Sequence, residues 1–160
     1  MTVTEPASPG GSVRTNSVIQ TRTQMATIFV AEDNPILLQG LGRALTSHGY
    51  SVSTAADGEA MLEMLRTQPE VPDLLLLDVM MPGLSGLEVL RSVKQDSRLS
   101  TIPVVLITAG TDESLAVTAL ENGAVDVLIK PFRLSELLDR IDSQVDRHRD
   151  LPQPSVRVVN

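Results

Sequence analysis

At 160 residues the chain can hold one domain with a substantial core and little more. Apolar residues make up 42% and charged residues 21%, and aromatics are so few (Phe29, Tyr50, Phe132) that the core must be aliphatic. A net charge of -7 argues against broad phosphate-backbone binding, and the lack of cysteine removes disulfides, thiolate nucleophiles and thiolate metal sites.

Residues 1–25, rich in Ser, Thr, Gly and Pro, lack the apolar segment of a signal peptide and read as a disordered leader. Ala26 to Ala31 is predicted as a buried strand. Pro35 to His48 follows as a helix with Leu37, Leu38, Leu41 and Leu45 on one face, stopped at Gly49. Tyr50 to Ala55, more polar, is expected at a sheet edge, and Asp57 to Thr67 is the second helix. Asp73 to Leu77 is apolar enough for a central parallel strand buried on both faces. Ser85 to Gln95 is a helix, Ile102 to Thr108 a strand, Asp112 to Asn122 a helix and Val125 to Ile129 the fifth strand. The last helix runs from Leu134 to about Arg147, with Ser135 as its N-cap, and residues 148–160 read as a loose tail. The organisation is a leader over 1–25, one domain over 26–147 and that tail. Between 26 and 145 there are 8 Lys and Arg against 17 Asp and Glu, so the acidity belongs to the domain. Apolar runs are too short to span a bilayer, and a cytoplasmic protein is expected.

Alternating strands and helices imply a parallel sheet covered on both faces, with ligands bound outside the carboxyl ends of the strands. Several residues there carry chemistry. Glu32-Asp33-Asn34 follows the first strand, and Asp78 closes the run Leu74 to Leu77. Thr108 ends the fourth strand and Lys130-Pro131-Phe132 follows the fifth. A carboxylate closing a buried apolar strand is costly unless paired, metal-bound or chemically employed. Acids at two strand ends and a lysine at a third suit a divalent cation and a phosphoryl group. Each residue has a structural role open to it as well. Asp33 or Asn34 can cap the helix begun by Pro35, Asp78 can serve a turn, Thr108 can simply favour a strand, and Lys130-Pro131 can mark a loop with a cis bond. All four coinciding on one sheet edge favours a shared site. His48 and His148 stand apart from it.

Glu32-Asp33, Asp78 with Met81-Pro82-Gly83, Thr108-Ala109 and Lys130-Pro131-Phe132, in this order, resemble the receiver domain of two-component response regulators over residues 26–147. The resemblance implies a flavodoxin-like (βα)5 three-layer α/β sandwich, its five-stranded parallel sheet in the order 2-1-3-4-5. It implies Asp78 as the phosphoacceptor, with Thr108 and Lys130 contacting the phosphoryl group. It also implies Mg2+ held by Asp33, Asp78 and the Met80 backbone carbonyl, with Glu32 acting through water or charge. The donor would be a sensor histidine kinase or a histidine phosphotransfer protein. The output would be protein contact through the fourth helix, fifth strand and fifth helix, including a phosphorylation-dependent homodimer. Direct nucleic-acid or membrane contact is not expected, nor any enzyme activity beyond self-phosphorylation and autodephosphorylation.

The sequence departs from the family in two places. Receiver domains often carry Tyr or Phe three residues before the lysine, where this chain has Val127, so no aromatic ring can report the switch there. Met80 and Gly110 occupy positions that shape water access, and Met80 offers no carboxamide to orient water, so a long-lived phosphoryl state is expected. A stand-alone receiver is the first expectation. The alternatives are a phosphorylation-independent interaction module on the same scaffold and the receiver part of a larger DNA-binding regulator or hybrid kinase.

Overall fold

Five strands and five helices alternate along the chain in the computed structural model, which describes residues 25–110 and 113–150. The strands are β1 (Thr27–Ala31), β2 (Ser51–Ala55), β3 (Leu74–Asp78), β4 (Val104–Ala109) and β5 (Asp126–Lys130). The helices are α1 (Pro35–Ser47), α2 (Gly58–Thr67), α3 (Gly86–Gln95), α4 (Glu113–Glu121) and α5 (Leu134–Asp150). All pairings are parallel and the order is β2-β1-β3-β4-β5, the flavodoxin-like arrangement expected from the sequence, with β2 at an edge.

Strand side chains alternate between two faces, and this parity divides the core. Phe29, Ala31, Leu75, Leu77, Val104 and Leu106 pack with Met61 and Leu65 of α2, Val89, Leu90 and Val93 of α3, and Ala119 of α4. Ile28, Val30, Leu74, Leu76, Val105, Ile107 and Leu128 pack on the other face with Leu41 and Leu45 of α1 and Leu137, Ile141 and Val145 of α5. The strand Leu74 to Leu77 is fully buried because helices cover both its faces, which is why it is apolar at every position.

Local chemistry sets the element ends. Asn34 caps α1 by accepting from the Ile36 and Leu37 amides, and Pro35 takes the first helical position, where no amide is needed. Asp57 and Ser85, expected inside their helices, are the N-caps of α2 and α3. Ser85 and Glu88 close a reciprocal capping box. Ser135 is not a cap: α5 starts one residue earlier, and the Leu137 amide bonds the Arg133 carbonyl at 3.1 Å. β4 begins at Val104 because Pro103 has no amide to give the ladder and the Ile102 amide is used in a turn to Leu99. α5 runs past Arg147 to Asp150. Basic residues in its last turn suit the helix dipole, and Arg149 approaches Asp73 at 3.8 Å. The expected leader, Asp112 and the last ten residues lie outside the described residues apart from Met25.

Candidate functional site

Strand register decides which strand ends meet. Val30 lies beside Leu76 and Ala31 beside Leu77, so the chain leaving β1 brings Glu32 next to Asp78. Asp78 is in register with Ile107 of β4, and Ile107 with Leu128 of β5. Glu32, Asp78 and Lys130 continue the parity of Val30, Leu76 and Leu128, and so turn toward the same side. Lys130 stands one strand beyond β4 and two residues past Leu128, a gap that only a long side chain crosses. Its Nζ reaches Asp78 Oδ2 at 3.3 Å and Glu32 Oε1 at 3.7 Å.

Asp78 is 3% exposed and Glu32 1% exposed, while Asp33 faces solvent. The other oxygen of Asp78, Oδ1, accepts from the Met80 amide at 3.2 Å, so both carboxylate oxygens are oriented before any ligand arrives. Glu32 Oε1 accepts a long bond from the Asn34 amide at 3.4 Å. Its Oε2 is buried without a hydrogen-bond partner. Burial first, and then the adjacent Asp78 carboxylate, push the Glu32 carboxyl up to about 7, with Lys130 and the Asn34 amide opposing.

Glu32, Asp33 and Asp78 each offer an oxygen, all within 4.8 Å of one another. Three acids face one lysine there, and one buried carboxylate oxygen lacks any donor. That imbalance fits a hard, oxygen-preferring cation, which would supply the missing positive charge and a partner for Glu32 Oε2. The Lys130–Pro131 bond is cis. Thr108 is buried at 3% exposure and carries the parity of Val104 and Leu106, opposite to that of Asp78. A cavity of about 790 Å³ between α1 and β2 is lined by none of the three acids. A cation and a phosphoryl group need converging charged atoms at an open edge, not a deep pocket.

The family model described as the response regulator receiver domain matches residues 28–142. The chain belongs to that family. As a receiver domain of two-component response regulators, it resembles the DNA-binding response regulator MtrA of Mycolicibacterium smegmatis, with 37% identity over 130 residues. That alignment covers 81% of this chain and 55% of MtrA. It is 35% identical over 137 residues to the DNA-binding transcriptional regulator NtrC of Klebsiella pneumoniae, covering 86% of this chain and 28% of NtrC. The receiver thus spans about half, or less, of the length of these curated relatives. Among solved structures, a putative response regulator from Chloroflexus aurantiacus superposes with a TM-score of 0.73 at 32% identity, covering 78% of this chain and all of that one.

The receiver brings together the strand-end residues Glu32, Asp33, Asp78 and Lys130. Two amide contacts escaped the sequence reading, which named Met80 only for its carbonyl and Asn34 only as a helix cap. Met80 orients Asp78, and Asn34 bonds Glu32 while its side chain caps α1. The signal for Asn34 was present in the Asn-Pro pair that opens the helix. The one for Met80 was not, because a backbone amide is independent of residue type.

Proposed function

We propose that Asp78 accepts a phosphoryl group from a sensor histidine kinase or a histidine phosphotransfer protein and that the new state alters the receiver's protein contacts. One observation carries this reading: a buried carboxylate, held at one oxygen by Lys130 and at the other by the Met80 amide, stands within reach of two further acids.

The residues divide the work. An Asp78 oxygen forms the bond to phosphorus as the phosphorus–nitrogen bond of the donor's phosphohistidine breaks, and that electron pair stays on the imidazole. Lys130, already at the carboxylate, offsets charge on the incoming oxygens, and the Thr108 hydroxyl, which starts on the opposite strand side, moves inward to donate to one of them. Asp33, Asp78 and the Met80 carbonyl would hold Mg2+, with Glu32 contributing through water or charge. The bound ion supplies the concentrated positive charge that two anions need to approach. The domain is thus a phosphoacceptor and not an enzyme with a turnover substrate. Met80, 66% exposed, has no carboxamide to orient attacking water, which supports a long-lived acyl phosphate.

Around the site, the exposed side chains of Ile36 and Met80 present apolar surface for a donor protein to cover. On the far edge, the side chains of Val117 and Leu120 of α4 and of Val125 and Ile129, beside and within β5, are exposed as well. These residues mark the proposed output face for a protein target or a second copy, and it needs neither nucleic acid nor membrane. No helix among the described residues is long and apolar enough to cross a bilayer, consistent with a cytoplasmic location. The receiver can act through that face alone, as a stand-alone regulator. A second reading is favoured by the length of MtrA and NtrC beyond the matched part: the receiver would regulate a DNA-binding portion of a larger protein. Incubation with Mg2+ and acetyl phosphate, followed by intact-mass measurement, tests the common core of both. The expected result is one phosphoryl group on the wild type and none on Asp78→Asn; no gain, or an equal gain in both, would overturn it.

A further inference from the structure

α3 begins with Gly86, directly after the Ser85 cap, in a helical conformation that any residue can adopt. Among the described glycines, positive φ occurs at Gly49, Gly83, Gly110 and Gly123 and not at Gly86. Helix propensity alone favours alanine there. The space explains the glycine. A Cβ on Gly86 would meet the Asp78 carbonyl group, falling 2.9 Å from its carbon and 3.0 Å from the Val79 Cα. These neighbours are backbone, so no rotamer change relieves the clash. The Gly86 amide also donates to the Val79 carbonyl at 3.0 Å.

Gly58, the first residue of α2, presses on the same β3–α3 loop from another direction. Its Cβ would lie 2.6 Å from the Leu84 carbonyl oxygen and 2.9 Å from Val89 Cγ2, and none of its three nearest atoms belongs to Asp78. The two glycines are therefore alike in crowding and different in what they crowd. The Ser85–Glu88 capping box holds the first turn of α3 at 2.8 and 3.3 Å, so this turn cannot fray to make room.

We propose that Gly86 is a positioning residue for Asp78: its missing side chain lets the first turn of α3 rest on the Asp78 peptide unit and thereby fixes where the carboxylate points. This rests on Asp78 being the phosphoacceptor.

Wild type, Gly86→Ala, Gly58→Ala and Asp78→Asn are compared in the full chain with acetyl phosphate and Mg2+. The temperature is one at which circular dichroism shows each folded. Gly86→Ala is expected to phosphorylate on the order of tenfold more slowly at saturating donor and Mg2+, with its half-saturating donor concentration within about twofold of wild type. Gly58→Ala is expected to lose comparable stability yet keep its maximal rate within about twofold. A wild-type rate in Gly86→Ala, or equal slowing in both glycine variants, would overturn the proposal. A measurement on the wild type covers the case in which Gly86→Ala does not fold. Titration with Mg2+ alone should shift the Gly86 amide resonance more than that of Gly58, and a smaller or absent shift overturns the proposal. Failure of the wild type to gain mass, or a gain in Asp78→Asn, instead overturns the phosphoacceptor reading on which the proposal rests.

Discussion

Glu32 is the residue whose environment is least balanced. It is almost wholly buried, has one oxygen without a donor, and shares a single lysine with Asp78. A buried carboxylate in that condition destabilises the free protein and becomes useful only when more positive charge arrives. Glu32→Gln is therefore expected to stabilise the cation-free protein by about 1–2 kcal/mol at pH 8 and to weaken Mg2+ binding by about tenfold. Urea unfolding and a Mg2+ titration measure the two effects. A variant that lost stability without losing Mg2+ affinity would place Glu32 in the core and outside the site. Asn34, two residues on, has a different role. Its side chain spans the first amides of α1, so Asn34→Ala should cost about 1 kcal/mol of stability. Mg2+ affinity should stay within about twofold, because its side-chain oxygen is taken up by the Ile36 and Leu37 amides. The triplet Glu32-Asp33-Asn34 at the end of β1 thus divides into two acidic site residues and one neutral cap.

At the scale of elements, the outer edge of the sheet differs from its buried centre. β5 buries Leu128 with Leu137 and Ile141 of α5 but leaves Ile129 48% exposed. Val127 is half-buried, packed against the α2–α3–α4 side of the core and flanked by exposed Val125 and Ile129. Ile129→Asp should abolish any phosphorylation-dependent association while leaving the rate of acetyl phosphate consumption within about twofold of wild type. Light scattering with and without donor reads the first, and phosphate release the second. Retained association would move the output face elsewhere. The order of these elements was legible in the sequence because hydrophobic period is a local property. The exact ends were less so: Ser135 and Ser85 have the same chemistry, yet only Ser85 has Glu88 three residues on to complete a capping box.

Across the whole molecule, the helices on one face are tied together by polar contacts that no local pattern reveals. His48 at the end of α1 bonds Asp142 of α5 at 2.9 Å, and the Tyr50 hydroxyl donates to the other oxygen of the same carboxylate. Burial first, and then the bond to Asp142 and its charge, push the Tyr50 phenol well above its usual value of 10.0. Above that pH the unfolded chain gives up a proton that the folded one keeps. Tyr50 therefore contributes stability below pH 10, and this contribution is lost as the pH rises further. The chain has one tyrosine and no tryptophan, so absorbance near 295 nm reports Tyr50 alone. Tyrosinate is expected to appear together with loss of helical circular dichroism, and Tyr50→Phe should flatten the fall in stability above pH 10. Ionisation near pH 10 in a still-folded chain would show that the phenol is not held by Asp142.

The alternation of strands and helices, the aliphatic core, the central place of Leu74 to Leu77, and a set of acids and a lysine at strand ends can all be read from the residues in order. These depend on hydrophobic period and on the energetic cost of an unpaired charge beside an apolar run, and both are local. Folding alone reveals that Glu32, Asp78 and Lys130 share one side at contact distance, that the Met80 amide orients Asp78, and that Gly86 lies against its peptide. Those facts follow from strand register and from how closely a helix settles on a strand end, which residues far apart in the chain set jointly.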